Sequence, residues 1–376
     1  MSTSDLFPAH SLWPFSRRAF LKGATASALA ATTGLALAAC GSSGEVKSSA
    51  PLAGEITIWD RSGDLATVFA ATIPAFNKKY PQIKVNHMAV DVDSKLPSTL
   101  ATGVDVPDGV FYEDSNLPTL ASYYYDITEW IQPYVKDIVP FKLRVNTSNG
   151  RILGVPWDLD PGLLFYREDM LQEAGIDPAS IETYDDLIAA AHKIQQKFGP
   201  QVKPIHLEQD PFLSLLWIEM FANQLRTSMV DAQGNLQINS APYLKIMKFL
   251  NQVRSENLGT LAAYESPGDN AAVEDNQIAF YPWAIWAVYG PDLLYKKTKG
   301  KWRAMALPAW QQGEARGAVM GGSSFIIPKK ATNPHLAWLY YEHLVFSPEG
   351  YQSVYGPNKV YPTGINTSLP SYLPAL

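Results

Sequence analysis

The sequence contains almost no cysteine. Cys40 is the only one among 376 residues, so no disulfide can form within the chain and a cluster of thiolate ligands is excluded. Positive charge is also scarce, because 30 Lys and Arg stand against 36 Asp and Glu, a formal net charge of −6 with His neutral. No run of basic residues occurs, so we expect no nucleic-acid partner.

Paired histidines are missing as well. His335 and His343 share one predicted helix but lie eight positions apart, not the four that bring two ligands to one face. The sequence has no glycine-rich nucleotide loop and no repeat of fixed period. We therefore expect no metal and no cofactor, and a redox protein is disfavoured.

No apolar run is long enough to be a convincing membrane span. The longest, residues 23–39, is small, uncharged and interrupted by Gly, Ser and Thr. Residues 16–22 (SRRAFLK) precede it and resemble the twin-arginine export signal. We therefore predict that residues 1–39 form a signal peptide.

The single cysteine lies where this leader ends. Residues 37–40 (LAAC) resemble the lipobox of bacterial lipoproteins, which predicts that Cys40 becomes a lipidated N terminus on the outer face of the cell membrane. The alternative is a chance unpaired thiol. Residues 41–54 are rich in Ser, Gly and Ala, so residues 40–54 are interpreted as the lipidated Cys and a flexible tether.

The remaining chain has a globular composition, with 47% hydrophobic and 18% charged residues, and a length suited to two domains. Residues 55–60 alternate like a strand, and a helical pattern and further strands at residues 83–86 and 110–112 follow. This order predicts a doubly wound α/β sheet, in which ligands bind at the carboxyl ends of the strands. Trp59, Asp60 and Asp114 are the polar and aromatic residues at those ends, and Arg61 lies in the polar turn that follows Asp60.

The second half of the chain is mostly helical. Thr183 and Asp186 form a capping pair before an apolar face that ends at residues 199–200 (GP). Residues 212–225 and a segment after Ser240 predict two more helices, whose apolar residues we assign to the core. Trp217 is the exception that could face a cleft.

Residues 154–167 (GVPWDLDPGLLFYR) combine a chain reversal with an aromatic ring and two carboxylates. Pro156 and Pro161 disfavour a helix or a central strand, so Trp157, Asp158 and Asp160 are predicted in an extended loop. An aromatic face beside carboxylate acceptors suits a polyol. A buried Trp with two loop-capping Asp residues fits the segment equally well.

Two later stretches add candidates. Trp283 and Trp286 follow a predicted strand beside a proline turn. Gly321 and Gly322 precede an apolar strand, and paired glycines allow a close backbone approach to a ligand or a change of direction between domains.

In their order along the chain, these segments resemble the extracellular sugar-binding lipoproteins of ABC importers, the family that includes maltose-binding protein. The resemblance covers nearly all of the chain from residue 55. The matching segments are residues 56–59 (ITIW), 73–76 (IPAF), 80–85 (YPQIKV), 154–171, 174–176 (AGI), 183–187 (TYDDL), 279–283 and 321–350.

The resemblance implies two α/β lobes joined by crossover hinge strands, with a sugar bound in the cleft between them. It assigns residues 55–153 and 322–360 to the first lobe and residues 154–321 to the second, with residues 361–376 beginning a truncated C-terminal part. Residues 154–167 and 320–324 resemble the two crossings. The implied partners are a carbohydrate and the transmembrane subunits of a permease, and the protein is expected to be a monomer. The implied ligand-binding residues are Trp59, Asp60, Arg61, Asp114, Trp157, Asp158, Trp217, Trp283, Trp286, Gly321 and Gly322.

A membrane-anchored glycoside-cleaving enzyme is the alternative. Asp158 and Asp160 would be its acid and base, but two carboxylates two positions apart usually share one local surface. A hydrolase places its pair across the scissile bond, about 5–10 Å apart. We therefore expect a binding protein and no catalysis.

Overall fold

A computed structural model describes residues 52–61, 64–231, 234–288, 295–357 and 368–375. The predicted signal peptide, Cys40 and all of the tether before Leu52 lie outside the described residues. Within the described ranges, no helix has both the length and the apolar character needed to cross a membrane.

Strands occur throughout the described chain and are numbered in sequence order. They are β1 (Gly54–Asp60), β2 (Ile83–Ala89), β3 (Gly109–Glu113), β4 (Thr147–Ser148), β5 (Arg151–Ile152), β6 (Gly154–Pro156), β7 (Asp158–Leu159), β8 (Gly162–Arg167), β9 (Ile205–Glu208), β10 (Gly259–Ala262), β11 (Phe280–Ala284), β12 (Trp302–Ala306), β13 (Ser323–Ile326) and β14 (Leu369–Pro370). Ten of them form two five-stranded sheets, ordered β2-β1-β3-β13-β6 and β10-β9-β11-β8-β12.

Helices pack around both sheets. They are α1 (Asp64–Lys79), α2 (Val92–Thr102), α3 (Leu117–Leu120), α4 (Thr128–Ile131), α5 (Pro140–Val145), α6 (Glu168–Glu173), α7 (Tyr184–Phe198), α8 (Pro211–Gln224), α9 (Ala241–Ser255), α10 (Pro267–Glu274), α11 (Pro334–Phe346) and α12 (Pro348–Tyr355). The predicted capping pair of α7 is confirmed. Thr183 N donates to Asp186 Oδ2 at 2.8 Å, and Asp186 N donates to Thr183 Oγ1 at 3.2 Å.

The first sheet is buried on both faces. Phe111 of β3 and Phe325 of β13 are paired in register and belong to the core that α1 and α11 complete. Their neighbours Val110 and Ile326, also paired, belong to a second core that α2 completes. Successive side chains of a strand point to opposite faces, so the paired residues in the middle of these two strands are apolar on both faces. The polar residues Glu113, Ser323 and Ser324 lie at the ends of the strands that face the crossings.

The second sheet carries its own core. Leu164 of β8 and Phe280 of β11 pack with Leu187, Met220 and Ile246, which come from α7, α8 and α9. The two sheets therefore organise two α/β lobes, as the fold prediction required.

Two crossings join the lobes, and they run side by side. Residues 157–161 lead from β6 in the first sheet to β8 in the second, and residues 307–322 lead back from β12 to β13. Pro161 bridges Val319 in antiparallel fashion, and Met320 N donates to the Asp160 carbonyl at 2.9 Å. The hinge is thus a backbone-paired ribbon rather than two independent linkers.

Two expected boundaries differ from the observed pairing. The second lobe was expected from residue 154, but β6 pairs with β13 at the edge of the first sheet, where Pro156 needs no ladder donor. Residues 361–376 were expected to begin a truncated C-terminal part of the second lobe. In the described part of that segment, Tyr372 packs in a first-lobe core and β14 pairs with β7 of the hinge.

Candidate functional site

Five charged side chains meet where the crossings leave the first sheet, and we call them the hinge cluster. They are Glu113, Asp114, Lys142, Asp158 and Asp160. Lys142, contributed by α5, is fully buried and forms an ion pair with Asp114 at the end of β3. Its Nζ lies 3.9 Å from Asp158 Oδ1 on the first crossing. One cation therefore connects the first sheet to the hinge.

The start of β13, directly after the return crossing, supplies two hydrogen-bond donors to this cluster. Ser323 N donates to Asp158 Oδ1 at 2.5 Å, and Ser324 Oγ donates to Asp114 Oδ1 at 2.7 Å. Lys142 Nζ also donates to the Ser323 carbonyl at 2.9 Å. Each crossing is thereby fixed to the charged residues of the other elements.

Burial changes the acidity of these carboxyl groups. Burial raises the pKa of Asp158 to about 7, although the positive charge of Lys142 acts in the opposite direction and lowers it. Burial, reinforced by the neighbouring Asp158, raises the pKa of Asp160 well above its ordinary value. Burial also raises the pKa of Glu113. The hinge cluster thus combines one buried cation with carboxyl groups whose pKa values are raised by burial.

Arg61 borders the hinge cluster, whereas Asp60 lies behind it. Arg61 Nη1 lies 2.6 Å from Glu113 Oε1, and its side chain is 27% exposed. The carboxylate of Asp60 is fully buried, accepts from Arg61 N at 2.7 Å and lies 3.6 Å from His87 Nε2. Of the two side chains, only that of Arg61 is partly exposed.

Three predicted ligand-contacting tryptophans lie in the cores. Trp59 packs with the α2 side of the first sheet, and Trp217 is buried with its Nε1 donating to the Pro282 carbonyl at 2.7 Å. The ring of Trp157 is 2% exposed and packs against Phe69 at 5.1 Å and Phe325 at 5.2 Å. The expectation that Trp157 presents an open face is wrong, because the core of the first lobe covers the ring.

Trp283 and Trp286 belong to an aromatic cluster of the second lobe, together with Tyr264 and Tyr281. Trp283 is fully buried and stacks on Tyr264 with the ring centroids 5.1 Å apart. Trp286 stands edge-on to both rings, at 5.5 Å from Trp283 and 5.1 Å from Tyr264, and is only partly buried. Trp286 is thus the one predicted tryptophan with an accessible ring surface.

Buried polar groups support the aromatic cluster. The His206 ring stacks on Tyr281 at 3.9 Å and lies between Asp269 Oδ1 at 3.3 Å and Glu208 Oε2 at 3.4 Å. All three polar residues are buried. Tyr281 Oη donates to Asp269 Oδ2 at 3.1 Å, which fixes the orientation of its ring.

The two predicted glycines lie on the return crossing, and both have positive φ. At Gly322, with φ of 110°, an added Cβ would lie 3.1 Å from Asp114 Oδ2 and 3.3 Å from Lys142 Nζ. At Gly321, with φ of 82°, the nearest atom would be 3.9 Å away. The hinge cluster therefore requires a residue without a side chain at Gly322.

The aromatic cluster is connected to the hinge through β11. Ala284 pairs with Gly162, and Ile285 N donates to the Pro161 carbonyl at 2.9 Å. The chain therefore places accessible aromatic surface on the second lobe and buried acceptors and donors on the first lobe and the crossings. This combination suits a ligand that has both an apolar face and hydroxyl groups.

Several residues of the site were missed in the sequence. Lys142 lies in an ordinary amphipathic segment, and Glu113 and Ser323 carry no motif. Tyr264 and His206 are isolated in the chain and reach the aromatic cluster only through the pairing of β9 and β11 and the loop after β10. Within the described ranges, no group of three or more His, Cys, Asp or Glu could hold a metal ion.

Comparison with known proteins identifies relatives of this chain. An arabinooligosaccharide-binding protein of Bacillus subtilis (strain 168) is 26% identical over 330 residues, which are 81% of this chain and 72% of that protein. A maltose-bound protein of T. maritima, MalE3, is 21% identical with a TM-score of 0.69, covering 85% of this chain and 82% of the other. A binding protein of B. animalis subsp. lactis Bl-04 in complex with β-1,6-galactobiose is 23% identical with a TM-score of 0.63, covering 81% and 74%.

These solved structures share the fold of this chain. The sequence profile of the family described as bacterial extracellular solute-binding protein matches residues 71–371, which is most of the chain and includes the second sheet, both crossings and all strands of the first sheet except β1. The chain belongs to the family of bacterial extracellular solute-binding proteins.

Proposed function

We propose that this protein is the extracytoplasmic substrate-binding component of an ABC importer. It binds a mono- or oligosaccharide reversibly between its lobes and delivers the sugar to a membrane permease. The observation that carries this proposal is the position of the hinge cluster and Arg61 on one side of the crossings and of Trp286 on the other.

The chemistry of a sugar matches these groups. A sugar ring has an apolar C–H face, which stacks on an aromatic ring, and a rim of hydroxyls that both donate and accept hydrogen bonds. In the proposal Trp286 supplies the ring. Arg61, Asp114, Asp158 and Asp160 supply the polar contacts, and Gly321 and Gly322 let the backbone approach.

The names of the relatives support a carbohydrate ligand. One is named for arabinooligosaccharides, another was solved with β-1,6-galactobiose and a third with maltose. These ligands differ in sugar and linkage, so they support the class of ligand and no single member of it.

The remaining predicted residues take supporting roles in this proposal. Trp283 and Trp217 hold the second-lobe aromatic cluster in place, and Asp60 fixes the turn that carries Arg61. Trp59 and Trp157 stabilise the first lobe from within.

Binding without catalysis is part of the proposal, because the family is one of binding proteins. Asp158 and Asp160 are buried on one crossing, and Asp158 already accepts from Ser323 N. Incubation of the purified protein with oligosaccharides should leave the sugars intact by chromatographic product analysis. Release of shorter sugars would support the glycoside-cleaving alternative.

Titration calorimetry against a panel of mono- and oligosaccharides tests the binding proposal. Trp286→Ala should weaken the best sugar roughly tenfold to hundredfold, as for the loss of an aromatic anchor. Trp130→Ala is the matched control, because Trp130 is also partly buried but stacks on Tyr125 at 5.0 Å in the first lobe. Failure of every sugar to bind, while an amino acid, polyamine or phosphate binds, would contradict a carbohydrate ligand.

We further propose that Cys40 is lipidated after removal of residues 1–39 and that it anchors a monomer to the outer face of the cell membrane. The supporting observations are the residues 16–22 and 37–40. Cys40→Ser should move the protein from the membrane fraction to the soluble fraction with unchanged sugar affinity. Continued tight membrane association would mean that the apolar leader is the anchor.

A further inference from the structure

A buried histidine of the second lobe lies between two carboxylates that hold one loop of the aromatic cluster. His206, on β9, is fully buried, with Nε2 3.4 Å from Glu208 Oε2 and Nδ1 3.3 Å from Asp269 Oδ1. Both carboxylate side chains are fully buried too. Among the described residues, no lysine or arginine forms an ion pair with either of them. Because a buried charge requires a partner, this position favours a positively charged imidazole.

Other donors keep the two carboxyl groups ionised. Glu208 Oε1 accepts from the backbone N of Gln209 at 2.8 Å and of Asp210 at 2.5 Å. Asp269 Oδ2 accepts from Tyr281 Oη at 3.1 Å. Hydrogen bonds donated to a carboxylate stabilise its charged form. Tyr281 stays neutral, because burial, reinforced by the charge of Asp269, raises its pKa. The imidazole is thus flanked by two negative charges.

The same carboxylates hold the backbone of residues 263–266, the loop that joins β10 to α10. Tyr264 N donates to Glu208 Oε2 at 3.1 Å. Glu265 N donates to Asp269 Oδ2, also at 3.1 Å. Glu265 has a positive φ of 58°, a conformation that a residue with a side chain rarely keeps unless surrounding contacts hold it. The shape of the loop therefore depends on these two carboxylates.

The loop places the ring of Tyr264 in the aromatic cluster. Tyr264 stacks on Trp283 with an angle of 15° between the ring planes and meets Trp286 edge-on at 83°. Trp286 is the ring that carries the sugar in the proposed function. Movement of Tyr264 would remove one of the two rings against which Trp286 packs.

We propose that His206 is a positioning residue for sugar binding. Its charged imidazole joins the two carboxylates, and these hold the loop whose Tyr264 supports Trp286. His206 is fully buried, so it acts on the ligand through these residues and not by contact. The inference rests on the proposed function, in which Trp286 binds the sugar.

Hydrogen exchange of single amides, followed by NMR on the full protein without sugar, measures the loop directly. His206→Phe keeps a ring that can stack on Tyr281 but removes both nitrogens. The amides of Tyr264 and Glu265 should then exchange about tenfold faster, because their carboxylate acceptors lose the cation between them. His343→Phe is the matched control and should leave both rates unchanged. His343 is also buried, but it lies in the first lobe with its Nδ1 3.0 Å from a serine hydroxyl.

The charge of the imidazole is measured on the wild-type protein, so this test needs no variant that folds. Long-range correlation of ring protons with ring nitrogens at pH 7 should show both nitrogens of His206 protonated. Burial lowers the pKa of His343, so the ring of His343 should be neutral in the same spectrum. A neutral His206, or unchanged exchange of the loop amides in folded His206→Phe, would overturn the inference.

Titration calorimetry with the best sugar of the panel measures the effect on binding. His206→Phe should weaken the sugar roughly tenfold, as for loss of support to an aromatic anchor, and His343→Phe should not. In a Tyr264→Ala background, His206→Phe should weaken it further by about twofold or less, because the ring through which it acts is gone. Equal losses in both backgrounds would contradict the inference. Failure of every sugar to bind would instead contradict the proposed function, since the exchange and charge measurements use no sugar.

Discussion

At the scale of single residues, Asp158 makes the free energy of unfolding depend on pH. Its pKa is about 7 in the folded protein against an ordinary value of 3.8. Between these values the unfolded chain has released the proton that the folded protein retains. The contribution of Asp158 is therefore complete below about pH 4 and is lost as the pH rises to 7, by about 1.4 kcal/mol per pH unit.

Asp158→Asn tests this linkage. Chemical denaturation from pH 4 to 8 should give a difference in unfolding free energy, variant minus wild type, that grows with pH and levels off above 7. The wild-type curve alone would not isolate Asp158, because His87 changes the stability in the opposite direction over the same pH range. Burial lowers the pKa of His87 to about 4, so its contribution to the free energy of unfolding increases as the pH rises. A constant difference across the range would show that Asp158 titrates normally.

Trp157 is a core residue, so its truncation should affect stability. Its ring packs between Phe69, Phe325 and Tyr355, the last at 5.6 Å. Trp157→Ala should cost roughly 3–5 kcal/mol of unfolding free energy, as for other buried aromatic residues. Equilibrium denaturation measures this loss of unfolding free energy. Trp286→Ala serves as the comparison, because Trp286 is only partly buried. Wild-type stability with weakened sugar binding would instead restore the ligand-platform interpretation.

At the scale of elements, the return crossing is the most constrained connection. Gly322 combines a positive φ with contact to the ion pair of Asp114 and Lys142, whereas Gly321 and Gly313 combine positive φ with more open space. Substitution by Ala should cost roughly 1–2 kcal/mol at Gly321 and Gly313, for backbone strain alone. Gly322→Ala should cost clearly more, because the Cβ also displaces the charged pair.

Denaturation of the three variants measures this difference. Gly313 is the control for backbone strain, because nothing lies within 4 Å of its added Cβ. Equal losses at all three positions would mean that the ion pair adjusts freely and that the crossing tolerates a side chain.

At the scale of the whole molecule, the two-lobed arrangement predicts closure around the ligand. A ligand shifts an equilibrium only by its differential affinity for the two states, so a sugar must touch both lobes to favour the closed form. Arg61 and the hinge cluster lie on the first-lobe side and Trp286 on the second-lobe side. Gly321 and Gly322 lie on a crossing, where a few residues can absorb the backbone change.

Small-angle scattering is the measurement. The radius of gyration should fall when the best sugar of the panel is saturating. Trp286→Ala at the same sugar concentration should show a smaller change, because its site is less occupied. An unchanged radius for the wild type at saturation would contradict closure.

The fold was predictable because its signals are local. The capping pair of Thr183 and Asp186 spans three residues, and the alternation of β1 requires only its own side chains. Such short-range preferences occur in one order along the chain, and that order is what resembles the binding-protein family. The position of Gly321 and Gly322 at the return crossing follows from the same kind of signal.

Which side chains form the site was decided by tertiary structure. Trp157 and Trp286 both lie within four residues after a proline, yet one is enclosed by the core and the other is partly exposed. Lys142 becomes the centre of the hinge cluster only when α5 meets residues 28 and 181 positions away, Asp114 and Ser323. Burial and charge pairing depend on which surfaces meet across such separations, and no local pattern in the chain encodes that.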